Sequence, residues 1–385
     1  MPPAKTDKQM NVLAVRFSAI GDVSLLVPAF QQALASNPDL NIIFVSKPFF
    51  EPLFSGIDRL RFVGVNLTDY QGLRGLIKLS SMLLYYNQNG LFFDLHDSLR
   101  TRVLRSIWQL RGKKVFVLDK GRAQKTVLTR KRHKILLPLK HVVERYLDVF
   151  KAAGVFIPFP ERPDKISGTG FSEFTSPISV DTANIETGPV NWLGGKLATD
   201  LPHYPQHSRK AYQLGFAPFA GFDLKEFEAD RKIELLKLLL KTYPQSTIIL
   251  FGGKEKQAEL QQLCKATSTD EFNGSVVLAS DLVGNFQEEL KLIQQLDLML
   301  GMDSGNLHLA AISGVRVLGI YGTTHPYLGF SPYGQEQSGT IGLEGLECRP
   351  CTVYGKGKCY RGDFACMRQL PLDLIIGKID SKLGA

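Results

Sequence analysis

The chain has no apolar run long enough to span a bilayer. Its first ten residues, MPPAKTDKQM, are polar and lead straight into a short β-like run, with none of the apolar core of a secretory leader, so a cytoplasmic protein is expected. No G-x-G-x-x-G follows a strand pattern and no G-x-x-x-x-G-K-[ST] occurs, which removes the main support for dinucleotide oxidoreductases and P-loop enzymes. Asp303, Ser304 and His308 are the residue types of a hydrolase triad, but they crowd one helix start and lack a G-x-S-x-G elbow.

Acidic residues are scarce in one place. Between Arg100 and Arg145 there are 15 Lys and Arg against two acids, Asp119 and Glu144, a balance of +13 that leaves −4 for the rest of a chain whose net charge is +9. Such a segment suits an anionic partner. It also has few aromatics among its charges, chiefly Trp108 and Phe116, which is poor material for stacking nucleic-acid bases, so no nucleic-acid partner is expected.

With 385 residues the chain exceeds one hydrophobic core, and two domains are the default. Short apolar runs alternate with helical periodicity throughout. Asn11–Phe17, Asn41–Val45, Arg61–Val65, Leu91–Leu95 and Lys114–Val117 read as strands. Helical runs at Val23–Ala35, Leu73–Tyr86, Ser98–Leu110 and His141–Ala153 lie among them, and Pro28 is deep enough to bend the first. From Pro158 to Ser208 the periodicity fails and Pro, Gly, Ser and Thr accumulate, as in a linker with an insertion. Alternation restarts with strands at Gln213–Ala217, Thr247–Phe251, Ser275–Leu278, Leu296–Leu300 and Val315–Tyr321. Between and after them lie helical runs at Glu226–Lys241, Lys254–Ala266, Asn285–Gln295, a stretch ending at Ile312, and Leu370–Leu383. This is α/β architecture with two doubly wound parallel sheets in series, spanning 1–160 and 211–385 around a 161–210 linker, with a ligand site expected between them.

Two strand ends stand out. Leu296–Gly322 is a strand, a tight Gly301-Met302-Asp303-Ser304-Gly305 turn, a helix and a second strand, so the free N–H groups of the helix start offer a phosphate site. Asp22 follows the first strand, where open α/β sheets bind ligands, although helix capping alone would also account for it.

RFSAIGDVSLLVPAF (Arg16–Phe30), HVVERYLDVF (His141–Phe150) and GMDSGNLHLAAISGVRVLGIYGTTHPYLGFSPYG (Gly301–Gly334) resemble, in order, the signatures of glycosyltransferase family 9, the ADP-heptose:lipopolysaccharide heptosyltransferases. The resemblance implies a GT-B fold: an acceptor-binding N-terminal domain and a nucleotide-sugar-binding C-terminal domain, two Rossmann-like units facing a cleft. It implies inverting transfer of heptose from an ADP-heptose donor to the Kdo or heptose units of the lipopolysaccharide inner core on lipid A. Asp22 matches the general base of the family's G-D-V motif, and Lys225, in APFAGFDLK, lies where a lysine neutralises the departing phosphate. Glu255, in FGGKE, resembles a ribose-binding glutamate, and Asp303, Ser304, Gly305 and His308 match a diphosphate-binding D-[TS]-G-x-x-H. Gly252, Met302 and Thr323 complete the expected nucleotide-sugar set. Ser18, Gly21, Arg100, Arg102, Arg122 and Arg145 form the expected acceptor side, and a basic cluster of Arg100, Arg102, Arg105, Arg122, Lys125 and Arg130 to Arg132 could hold carboxylate and phosphates and also rest on an anionic leaflet at the inner face of a membrane.

No D-x-D pair occupies a matching loop, so transfer is expected to need no metal or other cofactor. His325 departs from the family, standing where an aspartate is common. Cys348, Cys351, Cys359 and Cys366, in C-x2-C-x7-C-x6-C spacing, leave open a structural zinc or reduced thiols in a long loop. The rival functions are a transferase of the same fold with another nucleotide-hexose, and a non-catalytic protein that binds anionic glycolipid.

Overall fold

The protein is described by a computed structural model over residues 9–158, 191–193, 211–268 and 274–384. The first domain holds strands β1 (Met10–Val15), β2 (Leu40–Ser46), β3 (Leu60–Gly64), β4 (Leu91–Asp94) and β5 (Val115–Val117). Helices α1 (Ile20–Ser24), α2 (Leu26–Ser36), α3 (Gly72–Tyr86), α4 (Leu99–Leu110), α5 (Arg122–Thr129) and α6 (Val142–Ala152) connect and cover them. The second domain holds strands β6 (Gln213–Ala217), β7 (Thr247–Leu250), β8 (Ser275–Leu278), β9 (Leu298–Met302), β10 (Arg316–Ile320) and β11 (Thr340–Ile341). Its helices are α7 (Ala229–Thr242), α8 (Gln257–Thr267), α9 (Ala279–Leu282), α10 (Phe286–Gln294), α11 (Gly305–Ile312), α12 (Ala365–Arg368) and α13 (Leu372–Leu383).

The sheet orders are β3-β2-β1-β4-β5 and β11-β10-β9-β6-β7-β8, and every strand pair among the described residues is parallel. In each sheet the order reverses beside the domain's first strand, between β1 and β4 and between β6 and β9. The crevice at the carboxyl ends of those two strands is where a doubly wound sheet takes its ligand.

Pro28 acts as its position demands. It has no N–H for the Ser24 carbonyl, and the helix breaks into α1 and α2 at Leu25. Helix α5 was not foreseen: it is only eight residues long, and Lys125 and Leu128 are the two of them that are buried. The 161–210 linker falls outside the described residues except for 191–193. There Asn191 bridges to Ser313 and the Trp192 N–H donates to the Ile312 carbonyl at 2.7 Å, while Gln31 of α2 donates to the Trp192 carbonyl.

The domains share a core. Val12, Phe30 and Tyr146 of the first belong to the same buried apolar cluster as Ala217, Ile249 and Leu307 of the second, and separate clusters fill the outer faces of the two sheets. Phe49 stacks on Phe286 across the boundary at 4.5 Å between centroids.

Candidate active site

The loop after β1 and the start of α11 meet face to face. A Cβ added to Gly21 would lie 2.7 Å from His308 Cδ2 and 3.4 Å from the Gly305 Cα, so the approach is open only because both turns carry glycine. The carboxyl end of β1 in one domain is thereby brought against the carboxyl end of β9 in the other.

On the N-terminal side, Asp22 is the third residue of α1, not its cap. Its carboxylate stands 2.7 Å from the Arg16 guanidinium, with 28% of the side chain exposed. Arg16 is 4% exposed, donates to the Leu95 carbonyl and lies over the Tyr146 ring. The Tyr146 hydroxyl donates to the Asp22 carbonyl at 3.0 Å. Burial works against the charge of Arg16, but the Asp22 carboxylate and Tyr146 outweigh it and its pKa lies above the ordinary value. Asp22 is thus held on one edge and open on another.

Ser18 Oγ lies 3.3 Å from Nε2 of His96. Burial, then the charges of Arg16 and Lys120, push His96 down to about 4, so it is neutral near pH 7. Arg16, His96 and Lys120 were not foreseen as part of the site. His96 follows β4 at the switch point, so the strand-end rule that singled out Asp22 could have found it.

The basic cluster is less free than a count of its charges suggests. Asp97, with φ +43°, receives Arg102 Nε at 3.0 Å and Arg122 at 2.6 Å, with Arg105 3.6 Å away. Buried Asp94 lies 3.5 Å from Arg105. Both acids fall just before the segment whose charge was summed. Arg100 is exposed on the first turn of α4. The Arg145 guanidinium, expected on the acceptor side, donates to Gln124 at 2.7 Å and to the carbonyls of Lys140 and Asp119, so it braces the 119–124 turn from within.

On the C-terminal side, Lys225 Nζ stands 3.0 Å from the Asp303 carboxylate, which also accepts from the Thr324 hydroxyl at 2.7 Å. The Lys225 stem packs on Gly355, which has φ +81°. Asp303 is 7% exposed, so the pair is largely withdrawn from water. Ser304 occupies the N-cap of α11 without capping it; its Oγ is buried with no hydrogen-bond partner, and the same is true of His308 Nδ1. Two unsatisfied polar atoms beside the free amides of a helix start suit a ligand rich in acceptor oxygens. Glu255 is exposed beyond β7, its carboxylate folded back over Gly253, and Gly252 adjoins Phe219 and Leu260.

Met302 and Thr323, both expected on the nucleotide-sugar side, are buried. The Met302 side chain is buried in the outer core, which leaves only its backbone for a ligand. Thr323 is buried, and its hydroxyl donates to the Leu224 carbonyl at 2.7 Å, making it a strut for the turn that carries Lys225.

Burial pushes His308 down to about 4, with Asp303 pulling the other way, against an ordinary value of 6.5. The unfolded chain therefore takes up this proton first as pH falls. Stability from the neutral ring is fully present above about 6.5 and drains away toward about 4, a loss on the order of 3 kcal/mol from this residue. The thermal midpoint should fall across that window, and less steeply in His308→Gln. Identical slopes for the two proteins would contradict the assignment.

The cysteine quartet does not form a ligand set. Among the described residues no group of three or more His, Cys, Asp and Glu is arranged to hold a metal ion. Cys348, Cys351, Cys359 and Cys366 are free thiols around a cavity of about 10 Å³. Burial, and then the neighbouring thiols, raise Cys351 and take Cys366 up to about 12.

Comparison with known proteins identifies the family and the fold. The family model described as glycosyltransferase family 9 (heptosyltransferase) matches residues 88–358. No curated protein matches. The chain is similar in structure to a glycosyltransferase of family 9 from Veillonella parvula, at 15% identity and a TM-score of 0.63, over 97% of each chain. It is similar to E. coli heptosyltransferase WaaC with ADP-2-deoxy-2-fluoro heptose, at 16% identity and a TM-score of 0.60, over 97% of this chain and 99% of that one. E. coli ADP-heptose lps heptosyltransferase II gives 16% identity and 0.59, over 97% and 98%. At these identities the likeness speaks for the fold, two Rossmann-like domains in the GT-B arrangement.

Proposed function

Because the chain belongs to glycosyltransferase family 9, we propose that this enzyme moves heptose from an ADP-heptose donor to the Kdo or heptose inner core of lipopolysaccharide, with inversion and with Asp22 as general base. The supporting observation is the meeting of the two switch points, which sets Asp22 beside the α11 turn. The E. coli structures determined with ADP and with a fluorinated ADP-heptose provide the donor by analogy.

In this reading the diphosphate takes the α11 amides, the Ser304 hydroxyl and the Lys225 ammonium, and Glu255 receives the ribose hydroxyls. The acceptor hydroxyl gives its proton to Asp22 while its oxygen bonds to the anomeric carbon, and the bond to the β-phosphate oxygen breaks on the opposite face. ADP departs with growing negative charge, which Lys225 and the helix start stabilise more strongly than they stabilise bound donor. Lys120 lies within electrostatic reach of Arg16, Asp22 and Arg122, and Arg100 within reach of His96, so these cations suit an acceptor bearing carboxylate or phosphate. Such an acceptor is held by a bilayer, so peripheral association with an anionic leaflet belongs to the reading. Among the described residues no helix is long and apolar enough to cross a membrane.

A nucleotide screen by thermal shift tests the donor class. ADP should raise the midpoint more than UDP or GDP at equal concentration; a preference for UDP or GDP would overturn the ADP-heptose assignment.

A further inference from the structure

Helix α5 begins beside the cleft. Arg122 pairs with Asp97 there, and Lys125 lies 4.0 Å from the centre of the Phe330 ring. The eight residues of α5 carry the chain about 12 Å along the helix axis. Beyond it runs RKRHKILLPLK (Arg130–Lys140), an irregular segment.

The segment is fastened at two points. Lys134 Nζ donates to the carbonyls of Cys348 and Pro350, and the Leu139 N–H donates to the Tyr327 carbonyl at 2.9 Å. Between these anchors three consecutive aliphatic side chains stand out: Ile135, Leu136 and Leu137 are 49%, 48% and 56% exposed. A connecting loop ordinarily puts polar residues at such positions. Contiguous exposed apolar side chains beside polar ones mark a contact surface.

The surroundings say what kind of contact. Arg130, Lys131, Arg132 and His133 are all exposed next to the apolar tip, and no acidic residue occurs between Asp119 and Glu144. Lys131 lies 4.9 Å over the ring of Tyr360, itself 43% exposed. Apolar side chains collared by cations and an amphipathic aromatic ring match the boundary between acyl chains and anionic headgroups. A protein partner would need acidic residues to answer the collar. A second copy of this chain would bring the same cations against each other.

We propose that Ile135, Leu136 and Leu137 insert into an anionic bilayer while Arg130, Lys131 and Arg132 lie on its headgroups. The proposal rests on the membrane-held acceptor of the preceding reading and names the element that reaches the membrane. The two anchors join the segment to loops of the C-terminal domain, so docking there leaves the mouth of the cleft about one short helix from the lipid surface.

Sedimentation with phosphatidylcholine vesicles containing about one third phosphatidylglycerol tests it. The wild-type protein should bind, weaken as salt rises from about 0.1 M to about 1 M, and keep a residual fraction, because burial of apolar side chains is not screened. The triple variant Ile135→Ser, Leu136→Ser, Leu137→Ser should lose roughly tenfold or more of the partition and all of the salt-resistant fraction. Its ADP-induced thermal shift should match the wild type, which shows that it is folded. Equal vesicle binding by wild type and triple variant overturns the proposal and leaves membrane association standing. A wild-type protein that ignores these vesicles yet is stabilised by ADP overturns both and spares the donor assignment. A wild-type dimer that becomes monomeric in the triple variant, with vesicle binding unchanged, assigns the loop to contact between copies and overturns the proposal.

Discussion

Asp22→Asn should abolish useful transfer, lowering kcat by about 10²–10⁴-fold, while leaving ADP binding intact. Asparagine keeps the shape of the side chain and an oxygen for the Arg16 guanidinium 2.7 Å away, but it cannot accept the acceptor's proton. Alanine is the blunter variant. It leaves Arg16, 4% exposed, without its carboxylate, and removing one partner of a buried pair costs about 3–5 kcal/mol. Loss of activity in Asp22→Ala alone would therefore mix catalysis with folding. Single-turnover transfer by Asp22→Asn, read beside an ADP thermal shift, separates them. Turnover within tenfold of wild type would remove Asp22 from the mechanism.

Lys225→Met is the second large effect expected. Loss of one charge-stabilising donor at a leaving group costs about 10²–10³-fold in kcat. Here the loss should appear more in kcat than in KM, because the charge on ADP grows as the bond breaks. The variant also leaves the buried Asp303 carboxylate with only the Thr324 hydroxyl, so the thermal midpoint should drop as well. Lys225→Arg supplies the control. It restores a cation to Asp303 and recovers stability, and it recovers turnover only as far as the longer head reaches the same place. Unchanged kcat in a folded Lys225→Met protein would show that leaving-group stabilisation resides elsewhere.

Much of this was legible because parallel sheets write themselves as short apolar runs between helical periods. The β1 and β9 strand ends carried both their structural role and their motif, so Asp22, Asp303 and Ser304 could be placed at those strand ends from residues alone, and Pro28 announced the break in its helix. What remained hidden depended on tertiary neighbours. Arg145 is one of many arginines in sequence, and only the fold turns it under the 119–124 turn. Thr323 and Met302 lie in the motif with buried side chains, one donating to a backbone carbonyl and one packed in the outer core, and only the fold shows those neighbours. Asp94 and Asp97 come before the basic segment in sequence and sit inside it in space. Helix α5 is eight residues long and buries only Lys125 and Leu128, while Arg122 and Gln124 tie it to Asp97 and Arg145 through contacts that only the fold creates.

The account turns on a carboxylate from one domain confronting a diphosphate site in the other. A structure with ADP and an unreactive fluorinated donor measures this directly. The account predicts the diphosphate at the first turn of α11, within hydrogen-bonding reach of Ser304 and Lys225, with the anomeric carbon facing Asp22. A nucleotide seated away from α11, or a sugar turned from Asp22 with the reactive carbon against the C-terminal domain, would contradict it.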